Sequence, residues 1–297
     1  MTKKSIAADG LLLLTAIIWG SAFVVVKNAL DSFAPALLVG IRFLLAFFLA
    51  LFAFRRHLHR ITARDVFHGA VTGSLLGLAY IVQTIGLTYT TAGKNAFLTA
   101  TYVLLVPFGE RIVFGERLKI RHYFCAGLML TGIGLLSLSK ESGGINFGDF
   151  LSFICGIFFA AHMMVIPRFQ RQTNMYVLIV LQFLFCSALA FLWHAFFEPH
   201  TAFVLTGKGV WELVYLVVFS TTLGMSLQNI GESMTRASHA AMILSLESVF
   251  GVVFSAIFLR EKITPWMLAG FTLILAAIMI SVRKTGAEDR PESPALM

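Results

Sequence analysis

The stretch QTIGLTYTTAGKNAFLTATYVLLVPFGERIVFGE, residues 83–116, occurs a second time in the chain. Moved forward by 145 positions, it falls without a gap on QNIGESMTRASHAAMILSLESVFGVVFSAIFLRE, residues 228–261. The identical pairs are Gln83 with Gln228, Ile85 with Ile230, Gly86 with Gly231, Thr90 with Thr235, Ala92 with Ala237, Ala96 with Ala241, Ile112 with Ile257 and Glu116 with Glu261. Because the repeat is about half the chain length, it indicates one doubled ancestral unit rather than a solenoid or propeller, whose repeats are shorter than about 50 residues.

The composition of the chain is that of a membrane protein. Its 297 residues are 58% hydrophobic and 13% charged, whereas about 25% of a soluble domain is charged. Apolar runs long enough to cross a bilayer core of about 30 Å as helices recur along the whole chain. The ten predicted spans are residues 11–29, 35–54, 66–87, 95–114, 121–139, 148–167, 175–196, 211–230, 238–259 and 264–283. Backbone groups in hydrocarbon must be bonded within their own segment, so we predict an all-α integral membrane protein with ten transmembrane helices.

The basic residues indicate an orientation in the membrane. The net charge is +8, but the basic residues are spread over many short loops and form no groove or patch with interleaved aromatics, so no nucleic-acid partner is expected. When the loops are numbered alternately, 16 of the 23 Lys and Arg residues fall on one side and 6 on the other. The positive-inside rule then predicts a multi-pass protein of the inner (plasma) membrane with cytoplasmic N and C termini.

A second internal similarity divides the chain into five spans plus five. The segment IRFLLAFFLAL at residues 41–51 is echoed 140 positions later by LQFLFCSALAF at 181–191, with Gln182 in place of Arg42. An odd number of spans per unit makes the second copy enter the membrane from the opposite side. This inverted-topology repeat is typical of secondary transporters, whose substrate site lies near the midplane at the repeat interface. The predicted parts are a first five-helix repeat at 9–140, a second at 147–284 and a cytoplasmic tail, expected to be disordered, at 285–297.

Glycines recur at helical spacing in two of the predicted spans. Gly69, Gly73 and Gly77 share one face of the third span, and small residues at this spacing let a neighbouring helix come close. We expect the same packing role for the glycines of the fifth span, which are Gly127, Gly132 and Gly134.

The residue types that enzymes and metal sites require are scattered. The three cysteines, Cys125, Cys155 and Cys186, lie inside apolar spans without a CxxC pair, which indicates packing rather than a disulfide framework or a metal site. The five aspartates lie near span ends or in loops and form no DDxxD-like cluster. We therefore expect no cofactor, no metal and no enzymatic activity; a membrane-embedded lipid-modifying enzyme is kept as an alternative.

Several motifs resemble those of one family over residues 9–284. They are Trp19-Gly20-Ser21 in the first span, Arg42-Phe43 in the second, Pro107 to Glu116 in the fourth, and Leu246-Glu247 followed by Leu259-Arg260-Glu261 in the ninth. In their order and duplication they are similar to the drug/metabolite transporter superfamily, EamA-type ten-helix branch. Ser248 and Arg260 stand where the family often has proline and glycine. The resemblance implies a bacterial inner-membrane exporter of amino acids or other small metabolites.

Ionisable groups inside a span are costly, which makes them functional candidates. In the fourth span Asn95, Thr99, Tyr102, Val106 and Glu110 recur every three or four residues. One face of this span is therefore polar in its outer half, and we expect that face to look into the protein.

The repeat adds Glu247 to this face. At the offset of 145, Tyr102 falls on Glu247, so a pseudo-two-fold axis should bring the two to equivalent places around a central cavity. A carboxyl group there is a candidate for proton coupling or for binding a cationic group. The alternative is a structural charge bonded to Ser245, Arg42 or a backbone group.

Two amides and one lysine are further candidates for substrate binding. Gln83 and Gln228 occupy matching positions, and an amide offers a donor and an acceptor to a zwitterion or a sugar, although a buried amide can also tie helices together. Lys94 and Asn95 begin the fourth span, where a cation and helix-terminal N–H groups could hold a carboxylate. Alternatively, Lys94 snorkels to the membrane surface.

Arg42, His162, Trp19 and Tyr80 complete the set of candidates. Arg42 lies about 12 Å into its span at 1.5 Å per residue; it could pair with a carboxylate, which we rank first, snorkel, or meet a substrate anion. His162 falls near Trp19 in the repeat and could line the cavity or be a satisfied core histidine. Trp19 and Tyr80 could supply aromatic walls for apolar or cationic parts of a substrate.

These features together predict a secondary transporter that works by alternating access. The expected partners are a small-molecule substrate and the lipid bilayer, and a monomer is compatible with the sequence. The family resemblance favours export of amino acids or similar amphipathic metabolites, with cationic drugs or other metabolites as the alternative substrates.

Overall fold

The apolar runs form helices, and no strand occurs in the part of the chain that the computed structural model describes: residues 3–58, 61–115, 120–137, 146–198, 206–234, 240 and 243–283. The helices are α1 (Lys3–Ala29), α2 (Pro35–Phe54), α3 (Ala63–Tyr89), α4 (Ala92–Thr99), α5 (Tyr102–Phe114), α6 (Ile120–Ser137), α7 (Phe147–Phe169), α8 (Met175–Phe197), α9 (Gly207–Tyr215), α10 (Gly224–Met234), α11 (Leu246–Phe258) and α12 (Pro265–Arg283). A short 3₁₀ turn, Arg55–His57, follows α2, and a π-helical segment, Leu216–Leu223, joins α9 to α10.

Seven helical stretches of the described residues are long and apolar enough to cross a membrane; one combines α4 with α5, and one combines α9, the π-helical segment and α10. They are Ile6–Ala29, Pro35–His57, Ala63–Tyr89, Ala92–Val113, Phe147–Phe169, Met175–Phe197 and Gly207–Glu232. Three apolar helices are shorter: His122–Leu135, Leu246–Phe258 and Pro265–Ile280. Large apolar side chains cover the outside, as at Phe52 with 69% and Phe196 with 76% of its surface exposed. An apolar outer surface of this kind fits a multi-pass membrane protein.

Local sequence signals set several helix starts. Pro35 occupies the first turn of α2, where its missing N–H is not needed. Thr62 and Asp65 form a capping box at the start of α3, and Asn146 and Asp149 form another at the start of α7. Each box satisfies two backbone N–H groups that a helix terminus leaves without a partner.

The most extensive helix packing joins the first half of the chain to the second. α3 packs on α7 and α8, α2 on α8, α6 on α12, and α1 on α11. Arg42 and Glu247, which come from different halves, are therefore both carried by helices that pack across this boundary. Any space between the two halves is therefore lined by helices from both halves.

Two helix connections in the two halves have the same form. The turn after α1 spans residues 30–34 and the turn after α7 spans 170–174, and both lead into the next helix at the same spacing. The N–H of Phe33 donates to the Ala29 carbonyl at 3.0 Å, and the N–H of Thr173 donates to the Phe169 carbonyl at 2.8 Å. The offset of 140 seen in the sequence is thus matched by the backbone.

The expectation about the glycines is correct for the third span and wrong for part of the fifth. A Cβ on Gly73 would lie 2.6 Å from the Gln182 carbonyl oxygen of α8, so the missing side chain lets the two backbones meet. Gly132 similarly faces the Gly270 carbonyl of α12, at 2.8 Å. Around Gly127 and Gly134, no atom of the described residues lies within 4 Å of such a Cβ.

Candidate functional site

A cavity lies between the two halves of the chain, with an empty volume of about 690 Å³. Helices α1 to α5 line it from the first half, and α7, the π-helical segment, α10 and α11 line it from the second. Most of its wall is apolar or aromatic. Its polar and ionisable side chains, apart from the tyrosine and tryptophan rings, are Arg42, Gln83, Thr84, Asn95, Thr99, His162, Ser220, Gln228 and Glu247.

Nine of the ten residues nominated from the sequence line this cavity. They are Trp19, Arg42, Tyr80, Gln83, Asn95, Tyr102, His162, Gln228 and Glu247. The tenth, Lys94, is not part of the lining. It is fully buried, and its ammonium lies 3.1 Å from the Asp149 carboxylate of α7. Lys94 therefore ties α4 to α7 and does not snorkel to the surface.

Arg42 is held by hydroxyl groups. It is 3% exposed, its Nη2 donates to the Ser220 hydroxyl at 2.9 Å, and its Nε donates to the Thr221 hydroxyl. Its guanidinium also lies 4.9 Å from the centre of the Tyr80 ring, within cation–π range. Among the residues that the structure describes, no carboxylate lies within 4.0 Å of it, so the charge pairing ranked first from the sequence is replaced by neutral partners.

Both hydroxyls that bond Arg42 lie on the π-helical segment Leu216–Leu223. A π-helical stretch widens the helix and turns its side chains relative to a regular α-helix, and such stretches occur often at functional sites. The Trp19 indole N–H donates to the Ser220 carbonyl at 2.9 Å, and the Ser21 hydroxyl lies 2.5 Å from the Tyr215 hydroxyl. Side chains of α1 and α2 thus bond to the π-helical segment and to Tyr215, the last residue of α9.

The two copies of the repeated stretch break their helices at nearly the same place. Thr101 separates α4 from α5, and Ser245 precedes α11; both have φ −60° and ψ −17°. Tyr102 is the first residue of α5 and Glu247 the second of α11, and both line the cavity. The pairing of Tyr102 with Glu247 at the offset of 145 therefore corresponds to neighbouring side chains in one cavity.

Gly20 allows α1 to lie directly on α11 beside Glu247. A Cβ on Gly20 would lie 3.0 Å from the Glu247 carbonyl oxygen and 3.0 Å from the Gly251 nitrogen, and would overlap Phe250. Only a residue without a side chain allows this approach, which sets Trp19 and Glu247 on adjoining walls of the cavity.

Asn95 lies in a buried polar network that leaves one of its atoms without a partner. Its Nδ2 donates to the Ser152 hydroxyl at 2.7 Å and to the Gln83 carbonyl at 3.2 Å, and Gln83 Nε2 donates to the Thr99 hydroxyl at 3.1 Å. The Asn95 Oδ1 atom is buried and accepts no hydrogen bond from the residues that the structure describes. Buried polar atoms are nearly always paired, so an orphaned acceptor in a cavity wall marks a place for a ligand donor or a water molecule.

His162 and Gln228 bond to side chains beside them. His162 Nε2 donates to Gln182 Oε1 at 3.1 Å, so the glutamine that replaces arginine in the second copy orients the histidine ring. Gln228 Nε2 donates to Glu232 Oε1 at 2.9 Å, one turn along α10. Both residues line the cavity while serving as structural partners.

The sequence did not identify Ser220, Thr221, Ser152 or Asp149 as partners of the candidate residues. Serines and threonines are common inside transmembrane helices, so their types alone give no signal. Asp149 could have been found from its place in the first turn of a span, but only the packing of α4 on α7 shows that it meets Lys94. No group of three or more His, Cys, Asp or Glu side chains placed to hold a metal ion occurs within the described ranges.

Comparison with known proteins agrees with this architecture. The model of the EamA-like transporter family matches residues 6–138 and, separately, residues 146–283. An uncharacterized transporter of Archaeoglobus fulgidus is 36% identical over 287 residues, which cover 94% of this chain and 87% of that protein. A probable amino-acid metabolite efflux pump of Salmonella typhimurium is 28% identical, covering 92% of this chain and 94% of that one.

A solved crystal structure shares the fold at low sequence identity. It is 19% identical, its TM-score is 0.66, and the match covers 92% of this chain and 96% of the other. Together with the two family matches, which take in most of the chain, these relatives indicate a transporter rather than an enzyme. The chain is a multi-pass membrane protein and belongs to the EamA-like transporter family.

Proposed function

We propose that this protein is a secondary transporter that exports small amphipathic metabolites, such as amino acids, across the bacterial inner membrane. The observation that carries the proposal is the cavity lined by both halves, with an apolar and aromatic wall and a few polar and ionisable groups. Such a lining can hold a small molecule that has one apolar part and one charged part. The name of the Salmonella relative, a probable amino-acid metabolite efflux pump, supports the substrate class.

The proposed architecture has ten transmembrane helices arranged as two inverted repeats, residues 9–140 and 147–284. The three shorter apolar helices, α6, α11 and α12, stand where the sequence predicts the fifth, ninth and tenth spans. The family model matches once in each proposed unit. The equal turns after α1 and α7 and the equal breaks before Tyr102 and Glu247 also support two related units.

The mechanism that we propose is alternating access, in which the two units rock about the cavity. Three carboxylates from the second half hold helices of the first half at the end predicted to be periplasmic. Glu261 accepts from the Ala92 and Gly93 N–H groups at 2.7 and 3.1 Å, Glu198 accepts from the start of α2, and Asp149 pairs with Lys94. Opening the cavity towards that side would require some of these bonds to break.

Counterflow in liposomes tests the transporter proposal. Purified protein would be reconstituted into vesicles loaded with an unlabelled amino acid, and uptake of the same amino acid in labelled form would be followed. Loaded liposomes without protein are the control. We expect transient, saturable accumulation driven by exchange. Ion conductance without counterflow would favour a channel, and counterflow of cationic compounds but not of amino acids would favour the alternative substrate class, which Glu247 and the rings of Trp19 and Tyr80 could bind.

Glu247 is the proposed site of proton coupling. It is 4% exposed and lines the cavity, and a glutamine in its place keeps the shape but cannot take up or release a proton. If Glu247 couples transport to protons, Glu247→Gln should abolish net efflux driven by a pH gradient, whereas counterflow measured at saturating substrate should fall less. An unchanged rate and pH profile of net transport would remove the proton role.

A further inference from the structure

Two buried side chains of the cavity, the basic Arg42 and the acidic Glu247, have no charged partner among the described residues. Arg42 is 3% exposed and Glu247 is 4% exposed, and they come from different halves of the chain. In the part of the protein that the structure describes, neither lies within 4.0 Å of a group of opposite charge. A buried charge is normally paired, so a basic and an acidic side chain without such partners in one cavity indicate what a ligand would supply.

The surroundings of Arg42 orient its guanidinium without neutralising it. The Ser220 and Thr221 hydroxyls and the Tyr80 ring are all neutral. A guanidinium has five N–H donors, and the two bonds to hydroxyls use only part of them. Because Arg42 lines the cavity, the remaining donors can meet the oxygens of a bound carboxylate, which arginine often holds with two parallel hydrogen bonds.

Glu247 has the neutral Tyr102 hydroxyl as a hydrogen-bond partner, which brings no charge and leaves other acceptor positions of the carboxyl group available. Helix α4 runs antiparallel to α11, with Gly93 against Val252 and Ala96 against Gly251. Asn95 on α4 and Glu247 on α11 therefore lie on two helices that pack against each other, and both line the cavity. The unpaired Asn95 Oδ1 atom and the Glu247 carboxyl group together provide oxygens that match the three N–H donors of an ammonium group.

Between Arg42 and Glu247, aromatic rings and apolar side chains form the cavity wall. Tyr80 lies near both Arg42 and Glu247, and Trp19, Phe159 and Met225 line the same space. These surfaces suit an uncharged, apolar side chain of the ligand.

We propose that the cavity recognises its substrate as a zwitterion at two separate points. Arg42 binds the anionic group, and Glu247 with Asn95 Oδ1 binds the cationic group. This inference rests on the proposed function and assigns a role to each end of the substrate. It makes Arg42, Asn95 and Glu247 the residues that determine specificity.

Binding of matched derivatives to the purified full-length protein tests the proposal. The probes are leucine, methionine and phenylalanine, each as the free amino acid, the amide, the N-acetyl derivative and the N-acetyl amide, and the readout is the ligand-induced rise in Tm. We expect the free amino acids to bind at least tenfold more tightly than either singly charged derivative. Equal binding of a free amino acid and its derivatives, or no binding of any free amino acid, would overturn the proposal.

Substitutions of Arg42 and Glu247 then test which side chain binds which charged end of the substrate. Arg42→Gln should bind the free amino acid and its amide alike, while still preferring the free amino group over the N-acetyl group. Glu247→Gln should show the reverse pattern, and Arg42→Lys, which keeps the charge, should retain much of the carboxylate preference. General misfolding removes both preferences together, so loss of one preference alone identifies the end that was changed; a loss at the opposite end contradicts the assignment.

The transporter proposal and this inference can fail separately. If counterflow succeeds better with an uncharged or singly charged solute than with zwitterions, two-point recognition is wrong and the transporter remains. If no solute shows counterflow although zwitterions bind with both preferences, the binding site remains and the transporter proposal is wrong.

Discussion

At the scale of single residues, the buried pair of Lys94 and Asp149 provides a direct test of internal electrostatics. The two groups lie 3.1 Å apart, Lys94 is fully buried, and the Thr90 hydroxyl also donates to Asp149. Removing one partner leaves a charge without compensation in a poorly solvated place. We expect Lys94→Met alone to destabilise the protein by about 3 kcal/mol or more, measured by unfolding of the purified protein in detergent.

The double variant Lys94→Met with Asp149→Asn is the matched comparison. It removes both charges and so avoids the uncompensated carboxylate, and we expect it to be more stable than Lys94→Met alone. If the double variant loses as much stability, relative to the unsubstituted protein, as Lys94→Met and Asp149→Asn lose in sum, the two residues are not coupled.

Lys94 and Asn95 also show how far sequence reasoning reaches at this scale. Both are polar and begin the same predicted span, so the sequence assigned both to the substrate site. Successive residues of an α-helix point about 100° apart, and therefore Asn95 faces the cavity while Lys94 meets Asp149 on α7. The residue types and the repeat identified the cavity-facing candidates, but the partner of Lys94 depends on how two distant helices pack.

At the scale of helices, the same Gly→Ala substitution should have opposite effects at two positions. On Gly73 of α3 a Cβ would lie 2.6 Å from the Gln182 carbonyl oxygen and 3.1 Å from the Cys186 nitrogen, both backbone atoms of α8. The helices would have to separate, which should destabilise the protein by about 1–3 kcal/mol. The displacement would also move Gln182, the partner of His162.

Gly127 of α6 is the control for this prediction. No described atom lies within 4 Å of a Cβ built there, so alanine should add helix propensity without a clash and stabilise the protein by about 0.5–1 kcal/mol. Thermal unfolding of both variants in one detergent gives the comparison. A stabilising Gly73→Ala would mean that α3 and α8 do not approach each other as closely as described.

The carboxylate of Glu261 should stabilise the start of α4. It accepts from the Ala92 and Gly93 N–H groups at 2.7 and 3.1 Å, at the positive end of the helix dipole. Glu261→Gln loses the charge and presents N–H donors to one of these groups, so we expect a loss of about 1–2 kcal/mol on unfolding. Asp31→Asn is the control, because its exposed carboxylate lies 4.0 Å from the exposed Lys208, and such pairs contribute less than about 1 kcal/mol. Equal losses in the two variants would contradict the capping role.

Two irregular elements were beyond prediction from hydrophobic patterns. The sequence indicated one continuous fourth span, but the structure separates α4 from α5 at Ala100 and Thr101. The Thr101 hydroxyl donates to the Leu98 carbonyl at 2.6 Å, a bond that competes with the regular helix. The π-helical segment Leu216–Leu223 could not be predicted either, because its apolar composition is equally compatible with a regular α-helix.

At the scale of the whole molecule, the question is whether the two related units cross the membrane in opposite directions. The turns after α1 and α7 are equivalent in sequence offset and in backbone hydrogen bonds. A parallel duplication would place both turns on one side of the membrane, whereas an odd number of spans per unit places them on opposite sides. The charge distribution predicts that residues 30–34 are periplasmic and residues 170–174 cytoplasmic.

Cysteines at equivalent positions of the two turns can decide this. Asp31 and Arg171 are exposed and lie 140 residues apart, and the native Cys125, Cys155 and Cys186 are fully buried. In intact cells, a membrane-impermeant maleimide should label Asp31→Cys and spare Arg171→Cys, and both should react after the membrane is permeabilised. The unsubstituted protein measures background labelling of the buried thiols. Labelling of both variants in intact cells, or of neither before permeabilisation and both after it, would place the two turns on one side; either result would exclude the inverted repeat, because units of five spans cannot produce it.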